Sequence, residues 1–355
     1  MLPRKNVDIA DQMPSGNEQR LAEMRSSFAQ AAAAGCLSRR YLIAGFAIDV
    51  QIAGEQLADQ VTRAFLHLDT VDTIQPALSI ELWDEEATGV ATEQEPPPGG
   101  AQILMTASAD GRFVCEHRPQ GVALLDRTRH RIVAHTRSAG SRYLDERARP
   151  FHRLMSTWLN DRGIQFMHGG LVSVQGSGIL FAGQGGAGKS TSTIACLRAG
   201  FRYLGDDFIG IEHRTDGSFR GYGLFASCLL NLEHMQRFDD LTSLARRPYH
   251  ASEDKAVFYM GELFPDTIIH QTEIRAILLP RIADCTESFT ERASKAESLF
   301  ALAPSSVMLL PSPTTTAFHV LTQLVDRCPS YRLYLGRDLD SIPRAVSRLA
   351  TELEV

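Results

Sequence analysis

Apolar positions recur along this chain with two different periods, and the periods change near residue 145. Before it, short runs alternate as half-buried strands do. Tyr41 to Ile52 predicts one strand and Pro76 to Trp83 another. Runs at about 101–106, 112–117, 121–126 and 131–136 predict four more, the last entered through the turn Asp126-Arg127-Thr128-Arg129. Asn17 to Ala34, ended by Gly35, and Glu55 to Leu68 carry helical spacing. Glu85 to Gly100 contains Pro96-Pro97-Pro98 and predicts an acidic loop, because proline cannot donate to a central ladder. The pattern predicts a loose tail over 1–16 and a small α+β module over 1–145. Its role is open between substrate docking, a spacer and a dimerisation unit. Arg142 to Asn160 predicts a helical connector with Phe151, Leu154, Met155, Trp158 and Leu159 as core.

From 146 to 355 the pattern predicts a second domain of mixed α/β (α+β) class. Leu171 to Val174, a turn over Gln175 to Gly178, and Gly178 to Ala182 read as a hairpin. Thr191 to Ala199 reads as a helix stopped at Gly200, and Phe208 to Ile211 as a strand. Ser218 to Ala226 reads as strands and turns, and Asn231 to Leu244 as a helix. Pro304 to Pro313 is apolar but broken by proline. A helix over 317–327, capped by Thr314-Thr315-Thr316, and a terminal one over 340–354 complete the reading.

The hairpin feeds the residues Gly183-Gln184-Gly185-Gly186-Ala187-Gly188-Lys189-Ser190. This is G-x-x-x-x-G-K-[ST] with every fixed position filled, placed between a strand and a helix as a phosphate loop must be. Glycines let successive N–H groups point into one concavity and cradle phosphate oxygens. Lys189 carries positive charge to the β/γ-phosphates, Ser190 offers a hydroxyl to Mg²⁺, and Thr191 closes the segment. Chance would supply the pattern in roughly one chain in a hundred of this length. Gly183, Gly185 and Gly188 also satisfy G-x-G-x-x-G, but a dinucleotide fold has no use for a lysine directly after the third glycine.

One helix later comes Gly205-Asp206-Asp207. Adjacent carboxylates repel a triphosphate unless a metal intervenes or one of them serves as a base. The alternative is a solvated Gly-Asp-Asp turn. Read as entering a strand, the two point to opposite faces and address the acceptor differently. His168, in Gln165-Phe166-Met167-His168-Gly169-Gly170, stands at the start of the hairpin, where it reads either as structural or as reaching the γ-phosphate region.

His-Gly before a hairpin, the loop with Lys-Ser, and then Arg198-Ala199-Gly200-Phe201-Arg202-Tyr203-Leu204-Gly205-Asp206-Asp207 resemble the catalytic domain of the HPr kinase/phosphorylase family, a relative of phosphoenolpyruvate carboxykinase. The resemblance is strong over about 163–212 and looser beyond, at Ile274 to Pro280 and Tyr331 to Leu339; it does not cover 1–150. It implies a P-loop kinase domain that uses ATP and Mg²⁺ and transfers the γ-phosphoryl group to a protein serine. It puts His168, Lys189, Asp206 and Asp207 in the catalytic set, with Asp207 the catalytic aspartate and Ser190 and Asp206 on the metal side. Thr191 stands where such enzymes usually carry glutamate. No copy of the glycine-rich signature of the phosphorolytic reaction is present, which predicts a kinase without phosphorylase activity. The later active-site cation has no clear position; Lys255 and Arg275 are the candidates. Related kinases modify biosynthetic precursor peptides, so the acceptor is either an HPr-like carrier or a peptide. A small-molecule kinase and a non-catalytic ATP-binding regulator are the alternatives; a decarboxylating carboxykinase lacks its oxyacid-binding arginines.

Composition sets the remaining bounds. Net charge is −6 with no basic tract, which argues against a nucleic-acid partner. Arg237, Arg246, Arg247 and His250 read as a solvated basic face or as contacts to phosphate or an acidic substrate. Six cysteines, at 36, 115, 196, 228, 285 and 328, form no metal or C-x-x-C spacing. Cys196, inside the loop's helix, reads as a small hydrophobe. The start of the chain lacks an apolar signal core, and no run of 18 apolar residues occurs. The expectation is a cytoplasmic protein with a protein or peptide phosphoacceptor, no membrane partner and a homo-oligomer left open.

Overall fold

The computed structural model describes residues 9–10, 16–71, 74–92, 103–235, 237–238, 254–306 and 314–353. The chain divides into two compact units, Met1–Trp158 and Leu159–Val355.

The first unit is built on one eight-stranded mixed sheet. Its strands are β1 (Ile9–Ala10), β2 (Leu37–Ile43), β3 (Phe46–Ala53), β4 (Leu78–Asp84), β5 (Leu104–Ala107), β6 (Phe113–Arg118), β7 (Gly121–Asp126) and β8 (Arg131–Thr136), in the order β1-β5-β6-β7-β8-β4-β3-β2. The single strand expected over Tyr41–Ile52 is a hairpin instead. Ala44 and Gly45 both take positive φ, and two residues of that kind turn the chain back on itself. The helix Asn17–Ala32 lays Leu21, Met24 and Phe28 onto Trp83, Leu124 and Val133. The helix Glu55–Phe65 ends in a tighter turn, Leu66–Leu68. The expected connector is broken into Leu144–Ala148 and His152–Asn160, because Pro150 has no N–H to continue a helix. Leu154, Met155, Trp158 and Leu159 are fully buried, as the core reading requires, but Phe151, at φ 58° just after the break, is only half-buried. Glu85–Thr88 forms one helical turn, and the proline run at 96–98 lies outside the described residues.

The second unit carries β9 (Ile164–His168), β10 (Gly170–Val174), β11 (Ser177–Phe181), β12 (Arg202–Gly205), β13 (Phe208–His213), β14 (Phe219–Gly223), β15 (Ser227–Asn231), β16 (Lys255–Tyr259), β17 (Gln271–Ile282), β18 (Phe289–Arg292) and β19 (Ser330–Leu335). The main sheet runs β12-β10-β11-β17-β14-β13-β9, and β19 pairs with the far half of β17 and with β18. β15 and β16 form a separate ribbon. The β10–β11 hairpin turns on Gln175 and Gly176, both at positive φ, so β11 begins at Ser177, inside the expected turn. β11 lies parallel to β17, its strand end Phe181 opposite Leu278. One face is covered by the helices Lys295–Ser306 and Thr314–Arg327, through Leu302, Leu321 and Leu324. The other face packs Ile179, Phe181 and Leu278 against Cys196 and against Ile342, Val346 and Leu349 of the helix Ser341–Leu353. Of the helix expected over Asn231–Leu244, Asn231 belongs to β15 and Leu232–Met235 is helical, while residues 236 and 239–244 lie outside the described residues. The mixed α/β class is as the pattern predicts. No helix among the described residues is long and apolar enough to cross a membrane.

Candidate functional site

The glycine loop leaves the carboxyl end of β11, where the crevice of an open α/β sheet receives its ligand. Residues 183–188 lead into the helix Lys189–Arg198, which ends one residue before the expected Ala199, with Ala199 as its cap and Gly200 at positive φ. Gly186 and Gly188 take φ of 82° and 103°, a region that side chains avoid. A Cβ on Gly188 would also collide with Leu335 of β19. The helix starts with no side-chain cap and no acidic residue in its first turn. Its free N–H groups and positive dipole end therefore favour an anion. Lys189 is buried, its Nζ held by the carbonyls of Gly183 at 2.8 Å and Gln184 at 3.1 Å. Burial lowers its pKa, Asp206 and Asp207 pull it back up, and Lys255 pushes it down again.

Asp206 and Asp207 occupy a bend between β12 and β13, not successive strand positions. Asp207 takes φ of 72°, the left-handed region that Asp and Asn tolerate better than most residues. The bend separates the two carboxylates as alternation would have done. Asp206 is 1% exposed, and its Oδ2 accepts a bond from the Cys228 thiol at 3.2 Å. Its Oδ1 has no hydrogen-bond partner. Burial and the Asp207 charge raise its pKa, while Ser190, Cys228 and Lys189 draw it down. A buried carboxylate whose Oδ1 lacks a hydrogen-bond partner, with the Ser190 hydroxyl beside it and Lys189 in electrostatic reach, is a donor set that fits a hard cation beside phosphate. Among the described residues no group of three His, Cys, Asp or Glu side chains gathers as a protein-only metal cage.

Asp207 points elsewhere. Its Oδ1 lies 3.2 Å from His168 Nε2, and its carbonyl accepts the Gly169 N–H at 3.0 Å. The pairing of β9 with β13 sets His168 opposite Phe208, which brings together residues 39 positions apart. The His168 ring also rests against Phe208, centroids 5.6 Å apart. The two glycines after His168 have a spatial cause. A Cβ on Gly170 would strike Thr193 Oγ1 and sit 3.4 Å from Asp206 Oδ1. Gly170→Ala is therefore expected to cost about 1–3 kcal/mol of stability and to weaken nucleotide binding, read by thermal melts with and without ATP. An unchanged melt and unchanged ATP shift would dismiss the packing argument.

The structure thus gathers His168, Gly183 to Thr191, Asp206 and Asp207 around the end of β11. Of the two candidate later cations, Lys255 at the start of β16 is exposed and in electrostatic reach of Lys189 and Cys228. Arg275 pairs with Glu273, which stands opposite Ser177 at the far end of β11 from the loop. Arg237 is exposed, and Arg246, Arg247 and His250 lie outside the described residues. Cys228 is a site residue that pattern reading passed over. Its only signal was a polarisable residue inside an apolar strand. Burial first, then Asp206, holds its thiol well above the usual range, so it stays protonated and donates.

Residues 163–227 match the family model described as the HPr Serine kinase C-terminal domain. This stretch is HPr kinase-like. An HPr kinase/phosphorylase of Clostridium novyi is 42% identical over 55 residues, which are 16% of this chain and 18% of that protein. One from Shouchella clausii is 32% identical over 90 residues, 22% of this chain and 29% of that protein. The chain therefore spans less than a third of either relative's length. A structure of the Hpr(Ser) kinase/phosphatase from Coxiella burnetii superposes with a TM-score of 0.29 at 13% identity, over 54% of this chain and 99% of that one. The matched residues hold the hairpin, the loop, its helix, both aspartates and the strands through β14, so the resemblance read from the motif holds where the motif lies.

The buried Asp206 carries a consequence for pH. The folded protein holds that proton more tightly than the unfolded chain. The group thus favours folding at low pH, and its contribution falls as pH rises from about 3.9 through the raised folded value. Asp206→Asn is expected to remove this loss and raise the melting temperature of metal-free protein at neutral pH while abolishing any rise caused by Mg²⁺. A lower metal-free melting temperature in the variant would show that Asp206 is a structural anchor.

Proposed function

We propose that the second unit is an ATP-dependent kinase that transfers the γ-phosphoryl group to a hydroxyl, a serine or threonine of a protein or peptide. The observation that carries this reading is the split between the carboxylates. Asp206 is buried on the Ser190 side with a free oxygen, and Asp207 is partly exposed against His168. The loop and the helix N-terminus hold the phosphates, and Lys189 turns from the loop carbonyls to the transferring group. Asp207 accepts the proton of the acceptor hydroxyl, with His168 fixing its orientation. The new O–P bond forms as the bond to the β-phosphate oxygen breaks, and ADP leaves. Ser190 and Asp206 Oδ1 would hold Mg²⁺, which would neutralise phosphate oxygens there. Lys255 rather than Arg275 would add the second positive charge, a reading supported by its electrostatic reach to Lys189.

An HPr-like carrier is the first acceptor to test, since both curated relatives are named HPr kinase/phosphorylase. Those names cover both directions, so the expectation of a kinase without phosphorylase activity needs its own assay. Incubation with γ-labelled ATP, Mg²⁺ and either HPr or a serine/threonine peptide library should label a hydroxyl. Phosphoprotein with inorganic phosphate tests the reverse direction. EDTA should abolish labelling, and Ser190→Ala should raise the Mg²⁺ requirement. Nucleotide binding with no transfer to any acceptor would instead support a regulator, and labelling of metabolites alone a small-molecule kinase.

A further inference from the structure

We infer that Cys228 is a positioning residue for the cation site: its thiol fixes Asp206 Oδ2 and so leaves Oδ1 turned to the cation. The inference rests on the reading that Ser190 and Asp206 hold that cation. Cys228 and Asp206 are each 1% exposed, and Sγ lies 3.2 Å from Oδ2, within hydrogen-bond distance. The other oxygen, equally buried, has no partner. A carboxylate tied to the thiol through one oxygen, with the other unsatisfied and the Ser190 hydroxyl beside it, is oriented for a cation on the Ser190 side.

Two further contacts make the thiol a fixed post. The β15–β16 ribbon sets Cys228 opposite the fully buried Phe258. The Tyr203 hydroxyl donates to the carbonyl of Ser227 at 3.2 Å, tying the start of β15 to β12, the strand that delivers Asp206. The thiol therefore does not follow the carboxylate if it rotates. Groups that orient a metal-binding carboxylate typically change metal affinity or activity about 10–100-fold when removed.

The test is the Mg²⁺ dependence of ADP binding, measured by calorimetry on the full chain. Cys228→Ala removes the donor, Cys228→Val removes it at similar volume, and Cys228→Ser keeps a donor. The Ala and Val variants are expected to need about 10-fold more Mg²⁺ for half-maximal binding, with metal-free ADP affinity unchanged. Cys228→Ser should stay near the parent. A parent-like Mg²⁺ requirement in the Ala or Val variant overturns the inference. So does a Ser variant as impaired as Ala, because the side chain then acts by packing. A parent protein whose ADP binding ignores Mg²⁺ overturns the cation site itself, and this inference with it. If the Ala variant does not fold, the comparison of Val with Ser decides.

Discussion

Lys189→Ala is expected to reduce phosphoryl transfer by about 10²–10³-fold or more while the protein stays folded. The lysine is the one cation buried inside the loop, and its ammonium has only two backbone carbonyls as hydrogen-bond partners. Those bonds are worth little net, so their loss should barely move the melt. Removing a buried positive charge next to the transferring group leaves charge developing in the transition state with nothing fixed to oppose it. The loss should therefore appear in kcat more than in ATP affinity. Arginine is not a safe control, because a planar fork does not fit a space shaped for one ammonium. Wild-type turnover at unchanged ATP affinity would end the phosphate-loop assignment.

Asp207→Asn is expected to lower kcat by about 10²–10⁴-fold with ATP binding retained. The substitution suits this position. Asn tolerates the φ of 72° that the bend imposes, and its amide keeps the side chain's shape while losing the proton acceptor. Alanine would confuse the outcome by adding backbone strain. Calorimetric ATP binding and turnover with excess acceptor separate the roles. Near-normal turnover would remove Asp207 from the role of base. Equal loss of nucleotide binding in the Asp206 and Asp207 variants would make the pair jointly structural or metal-binding. The base would then be sought at His168, 3.2 Å away.

Several parts of this arrangement are legible in the order of residues alone. The Gln175-Gly176 turn, the strand into Gly183, the helix stopped near Gly200 and the strand from Phe208 are local decisions. Each depends on φ preferences and apolar period within a few residues. Local reading fails where a neighbour in space takes over. Ala44-Gly45 turns one expected strand into two, and β15 absorbs the start of an expected helix by pairing with β16. The aspartates look like strand residues because strand propensity resumes directly after them. They form a bend because Gly169 and Phe208 bind the carbonyls of Asp207 and Asp206.

By itself, the sequence determined the phosphate loop, its strand and helix, and the residue types able to do phosphoryl chemistry. Those features need particular backbone angles and functional groups at fixed short spacing, which a linear chain displays directly. Only the tertiary structure decided which of them meet. The β9–β13 pairing chose His168 as partner of Asp207, and the β15–β16 ribbon brought Cys228 to Asp206. It also set Lys255 near Lys189 and Arg275 at the far end of β11. Burial and orientation depend on which distant segments cover a side chain, and nothing in the local sequence specifies them.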